Sequence, residues 1–159
     1  MKIEGIFTFN EGQPNEFQLR NSLLSSGAEY FLRTVFRGEA ILPANFYIGL
    51  TSAHPGFVAT LASLAAGEPT TGGYARIAAA RGTSDWTVTF INGAWRARSK
   101  LCVFTASGDW VTVWRRVFLC DASSGTVGNA FALSGPAEED QLVLSGAPPS
   151  VVYDLWMRA

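Results

Sequence analysis

The chain has 159 residues, a formal net charge of −1, 48% hydrophobic residues and only 16% charged ones. A chain of this length buries about 70% of its unfolded surface, so one domain spanning residues 1–159 needs no metal or disulfide staple. The near-neutral balance offers no global basic field for nucleic acid, and no apolar run approaches the roughly 20 residues of a membrane span.

Residues 3–9, IEGIFTF, read as a strand, NEGQPNE as a turn and FQL as a returning strand. Together they make an N-terminal hairpin within residues 1–20. The opening residues hold no apolar signal core, so no cleaved leader is expected. Ser26 and Glu29 have capping-box spacing, and Phe31, Leu32, Val35 and Phe36 form one apolar stripe. These features predict a helix over 26–37, stopped by Gly38. NFYIGLTSA (45–53) reads as a strand and HPG breaks it. A short helix is expected over 57–66, ended by Gly67.

From residue 74 onward only strands are expected, near 74–81, 86–91, 95–105, 110–120, 129–134, 141–145 and 150–158. Each separator is rich in Gly, Pro, Asp or Ser, as turns require. Gly72 and Gly73 read as a tight turn into Tyr74. Gly108 with Asp109, and Asp121 with Gly125, read as turns at either end of the 110–120 strand. Eight to ten short strands predict a mainly β, antiparallel β-sandwich of jelly-roll type, with one or two short N-terminal helices.

The 110–120 strand is apolar on both faces, so both are expected to be covered. One cover is the core; the other is the helix, a loop or a partner subunit. Arg115 and Arg116 fall on opposite faces and need partners wherever they are buried. If the strand is straight, Asp109 and Asp121 stand roughly 40 Å apart, too far to share acid–base chemistry. Both are read as turn formers.

Other chemistry finds little support. The single histidine, His54, precedes Pro55 in a loop, and no nucleophile elbow or phosphate-cradling loop is present. The acids at 138–140 lack EF-hand spacing. Cys102 and Cys120 match no metal or redox pattern. They read as two reduced, buried thiols, with a cross-strand disulfide as the alternative. No cofactor, metal or catalytic residue is expected, and the chain is not read as an enzyme.

One charge pattern is distinctive. Arg96, Arg98 and Lys100 alternate with small residues and share a strand face, with Arg76, Arg81, Arg115 and Arg116 on neighbouring predicted strands. A solvated surface is the plain reading. The sharper one is an interface stripe meeting Glu138, Glu139 and Asp140 of a neighbouring subunit. Exposed aromatics among these cations could also stack on sugars.

The segments NSLLSSGAEYFLRTVF, FYIGLTSAHPG, GGYARIA, FTASGDWVTVWRRVFLCDASSG and VVYDLWMR resemble a group of small virion structural proteins of tailed bacteriophages, described as decoration, tail-fibre-like or structural. The resemblance spans about residues 20–157. Val111 stands where the group tends to have Gly, and Trp114, Arg115 and Arg116 add bulk and charge. The motifs are mostly turns and core positions, so they imply fold more than activity.

The resemblance implies a virion protein, assembled in the bacterial cytoplasm, that binds other virion proteins and forms homo-oligomers, with no nucleic-acid or membrane partner. A capsid cement or decoration role is the first expectation. A tail, neck or fibre-adaptor role is the alternative, and a carbohydrate-binding host-recognition module is the alternative of another class.

Overall fold

A computed structural model describes residues 2–39, 41–56, 58–139, 141, 143 and 147–158. In chain order the strands are β1 (Lys2–Phe9), β2 (Phe17–Leu23), β3 (Asn45–Thr51), β4 (Ile77–Ala80), β5 (Trp86–Ile91), β6 (Ala94–Ser99), β7 (Cys102–Val103), β8 (Arg116–Cys120), β9 (Ala130–Ser134) and β10 (Ser150–Arg158). Two short helices, α1 (Ser25–Leu32) and α2 (Leu61–Ala65), interrupt them, and a π-helical turn (Arg33–Arg37) extends α1.

The mainly β, antiparallel expectation holds, but the sandwich is corrected. The ten strands form one sheet in the order β4-β3-β8-β9-β2-β1-β10-β6-β5, with β7 also on β10. The sheet curls until it nearly closes as a barrel. Two features join what would otherwise be two layers. β10 is long enough to pair with β6 along Asp154–Arg158 and with β7 along Ser150–Val151. A bulge at Leu119/Cys120, where β8 meets β9, bends the opposite wall. The sheet's two ends, β4 and β5, are consecutive in sequence, and Asp85 between them ties both. Its carboxylate accepts the Ala80 N–H at 2.8 Å and its carbonyl accepts the Lys100 N–H at 2.7 Å.

The inner core holds Phe7, Phe9, Ile48, Leu50, Phe104, Trp110, Trp114, Val117 and Tyr153. Each such side chain contributes roughly 1.5–3 kcal/mol by leaving water. A second cluster lies on the outer side of the β8–β9 wall, where Leu61 and Leu64 of α2 cover Phe118, Cys120, Ala130 and Leu133. Both faces of β8 are therefore covered, and the second cover is α2. The opposite allegiances of Cys102 (inner core) and Cys120 (outer cluster) leave two buried free thiols rather than a disulfide.

Several boundaries differ from expectation. Of the predicted 110–120 strand, only Arg116–Cys120 is regular; upstream, Trp114 makes an isolated bridge to Gln141. The predicted 95–105 strand splits into β6 and β7. The 74–81 strand begins at Ile77. Of the predicted 141–145 strand, only Gln141 and Val143 are described. Ser26 does not cap α1: the N-cap is Leu24, without a side-chain cap bond, and the Ser26 hydroxyl donates to the Ala130 carbonyl at 2.6 Å. That bond fastens α1 to β9, a tertiary demand that outweighs capping. Gly38 ends the helix in the left-handed region, with φ 62°. α2 is shorter than predicted and carries its own capping box, Thr60 with Ser63; Phe57 lies outside the described residues.

Candidate interaction surfaces

The basic face of β6 is built by alternation. Arg96, Arg98 and Lys100 project to the outer side of the sheet, and the chain itself supplies their partners. Asp154, directly across on β10, accepts from Arg96 Nε at 2.7 Å and from Arg98 Nη1 at 3.1 Å. Arg98 also pairs with Glu11, and Lys100 pairs with Asp85 at 2.7 Å. Arg96 and Arg158 flank the Trp156 ring, 5.2 and 5.9 Å from its centroid. The stripe is thus largely neutralised within one chain.

Arg115 and Arg116 sit apart from it. Arg115 Nη2 donates to the Glu138 carbonyl at 3.1 Å; Arg116 Nη1 donates to the Ser134 carbonyl at 3.0 Å, and its Nη2 lies 3.2 Å from His54 Nδ1. Partial burial, then the neighbouring Arg115 charge, pulls the Arg116 pKa down. Glu139 presents its carbonyl to Gln141. Asp140 lies outside the described residues.

The turn residues lock loops to one another. Gly72 and Gly73 have φ of 65° and 75° and seat against the 107–111 turn. The Gly72 carbonyl accepts from Trp110 Nε1 at 3.2 Å and from Ser107 N–H at 2.8 Å. A Cβ on Gly72 would strike the Gly108 carbonyl and the Trp110 ring, which is why only glycine fits there. Asp109 belongs to this turn. The Asp121 carboxylate accepts the Asn129 N–H and side-chain amide, both at 2.7 Å, and closes the loop that carries Gly125.

Sequence reasoning placed Arg76 only among the cations near the basic stripe and missed the network around it. Arg76 has a side chain only 1% exposed. Its guanidinium grips Glu68 by two bonds, of 2.9 and 2.7 Å, and donates to the carbonyls of Ala122 and Gly125 at 2.9 and 2.7 Å. Tyr74 donates to the same Glu68 carboxylate at 2.6 Å. Burial, then the Glu68 charge, pushes the Tyr74 pKa well above its ordinary value. The sequence signals were its place among those cations and the run Tyr74-Ala75-Arg76, read as a strand entry; neither points to Glu68.

Two apolar surfaces face outward. The stripe on α1 and its π turn does not pack: Val35 is 57% and Phe36 75% exposed, and Phe31 and Leu32 are also exposed. The second surface is where the barrel's inner face runs past its opposite wall. Val88 (64% exposed), Phe90 (61%) and Trp95 (55%) line it, with the Phe90 and Trp95 rings 5.4 Å apart.

A cleft of about 350 Å³ lies elsewhere, among Asn10, Gln13, Asn15, Phe17, Trp114 and Gln141. The Trp114 indole N–H is buried there without an acceptor among the described residues. No group of three or more His, Cys, Asp or Glu among the described residues is placed to hold a metal ion. No helix among them is long and apolar enough to cross a membrane.

The features that distinguish this chain are therefore loop-locking networks and exposed apolar surfaces, which suit assembly. No curated protein matches the chain. A family model described as Podophage GP4 fiber I protein gp80 matches residues 25–152, from α1 into β10. The chain belongs to that podophage fibre family and is a structural component of the virion that associates with other virion proteins.

Proposed function

We propose that the chain is a building block of the tail fibre apparatus and works by protein–protein contact rather than by catalysis. The family match across residues 25–152 carries this reading, and it supports the tail or fibre expectation better than capsid cement. The exposed apolar side chains on α1 and the β5–β6 hairpin agree with it, because contiguous apolar surface on a folded protein commonly marks an interface. Immunogold labelling of parent virions tests the proposal. Gold at the tail or a single vertex is expected; gold spread evenly over the heads would overturn it in favour of cement.

A second reading, glycan binding, is favoured by the Asn10–Gln141 cleft, where amide side chains gather beside aromatic rings. Glycan-array binding by the purified chain, lost in Asn15→Ala and Gln13→Ala, is the expected result under that reading. A blank array would remove it.

A further inference from the structure

β5 ends the sheet and, among the described residues, pairs only with β6. Edge strands of monomeric proteins are usually blunted by charge, proline or shortness, because an open edge recruits other strands. β5 has none of these protections. Its sequence is TrpThrValThrPheIle, six residues without charge or proline.

The open side of β5 can be read residue by residue. Asn92 (φ 51°) and Gly93 (φ 77°) form a two-residue turn between β5 and β6. Such a turn makes Ile91 and Ala94 a hydrogen-bonded pair. Alternation then assigns Thr87 and Thr89 to bonds with β6, while Trp86, Val88 and Phe90 turn their backbone groups away from it. The Lys100 N–H to Asp85 carbonyl bond has the same parity, and the outward Trp86 N–H is taken by the Gly82 carbonyl at 3.0 Å. Val88 and Phe90 thus present two N–H and two C=O groups to the open side.

We propose that this edge pairs with the β5 edge of a second copy, antiparallel, about a two-fold axis at Thr89. Only one register uses all four open groups: Val88 opposite Phe90 of the partner copy, and Phe90 opposite its Val88. That register sets Thr89 against Thr89 and Thr87 against Ile91. No charge meets a like charge within the strand, and Arg96 and Arg98 on the adjacent strand are held by Asp154 and Glu11. The strand is self-complementary, which favours a second copy over a foreign one.

Val88, Phe90, Ile91 and Trp95 offer about 400 Å² of exposed side chain per copy, taking full aromatic side chains as 150–250 Å². That is half the roughly 800 Å² per partner of a standard stable interface. An interface of this size belongs to the weak, reversible class. The inference deepens the assembly reading and rests on it for its purpose.

Sedimentation of the full chain from about 1 to 200 μM tests it, together with oxidative cross-linking. Wild-type protein is expected to dimerise. Val88→Pro removes one open N–H without touching a β5–β6 bond, and Phe90→Lys places a charge opposite Val88 of the partner copy. Each is expected to weaken association at least tenfold. Should Val88→Pro fail to fold, Phe90→Lys carries this arm.

Thr89→Cys is expected to give a disulfide-linked dimer. Directly opposed, non-hydrogen-bonded residues stand about 4.5 Å apart at Cα, within disulfide reach. Thr87→Cys, roughly 13 Å from its copy, is not expected to cross-link. A monomer at 200 μM, association that survives both edge variants, a stoichiometry other than two, or cross-linking at residue 87 instead of 89 would each overturn the proposal. A monomer found alongside gold at the tail would sink this inference and leave the fibre reading standing.

Discussion

Glu68→Ala is expected to be among the most damaging single changes in the protein. Among the described residues Glu68 is the sole carboxylate on Arg76, whose side chain is 1% exposed, so truncation leaves a buried guanidinium with only uncharged partners, the Ala122 and Gly125 carbonyls and the Cys120 sulfur. Breaking a buried ion pair from one side typically costs 3–5 kcal/mol. For a chain of this size, a loss of about 4 kcal/mol lowers the melting midpoint by roughly 10 °C. Tyr74 loses its close carboxylate acceptor as well and is left with the Leu50 carbonyl at 3.4 Å. Replacing both partners, in Glu68→Ala with Arg76→Met, removes the stranded charge and should recover about 2 kcal/mol relative to Glu68→Ala alone. Urea unfolding of the wild type, both single variants and the double variant measures the coupling directly. A Glu68→Ala loss under about 1 kcal/mol, or a coupling near zero, would show that the pair is solvated and that the loops are held by other means.

Gly72→Ala should cost about 2–3 kcal/mol by thermal melting, since it combines a left-handed φ with a clash against the Gly108 carbonyl. Gly12→Ala, at φ 77° with nothing within 4 Å, should cost only about 1 kcal/mol, which separates backbone strain from collision. Burial pushes the Cys102 and Cys120 thiols up to about 11 from an ordinary 9.0, so the folded state keeps protons that the unfolded chain releases. Their contribution is intact below pH 9 and falls between pH 9 and 11, by up to about 1.4 kcal/mol per pH unit for each thiol. Urea midpoints from pH 8 to 10.5 should decline less steeply when both are replaced by Ala, and parallel curves would refute the assignment. Phe36→Ser should leave stability within about 0.5 kcal/mol by urea unfolding, because that ring is already in solvent; a larger loss would mean that the ridge packs within the chain.

Local patterning in the sequence was informative where a strand meets one uniform environment. The N-terminal hairpin, β3, β5, β9 and β10 follow period-two alternation or dense apolar runs bounded by turn residues. It misled where one element changes partners. Lys100 and Leu101 read as strand interior, yet pairing with β10 lapses at Val152 and Tyr153, where the Ser99 hydroxyl accepts the Tyr153 N–H at 2.9 Å, and this separates β6 from β7. Trp110 to Arg115 look like a continuous strand because aromatic and β-branched residues fill them, but only Trp114 there forms a bridge. Barrel against sandwich was illegible, since closure depends on register between distant strands and on the β8–β9 bulge. The charged stripe was visible as alternation, but Asp154 lies 56 residues from Arg98 and its role emerges only when β10 folds alongside. The apolar stripe on α1 could be read, but not that solvent lies against it.

The pairing of β1 with β10 along eight residue pairs has a consequence for biosynthesis. β1 leaves the ribosome early and waits with one long side open until Ser150–Arg158 has been translated. β6 and β7 wait for the same strand. Closure is therefore a late event that waits on the synthesis of β10, in keeping with the slow folding of sheets rich in distant contacts. A copy halted before β10 would leave open the sides of β1, β6 and β7 that this strand covers. Only copies that include β10 can join β1, β6 and β7 into one sheet.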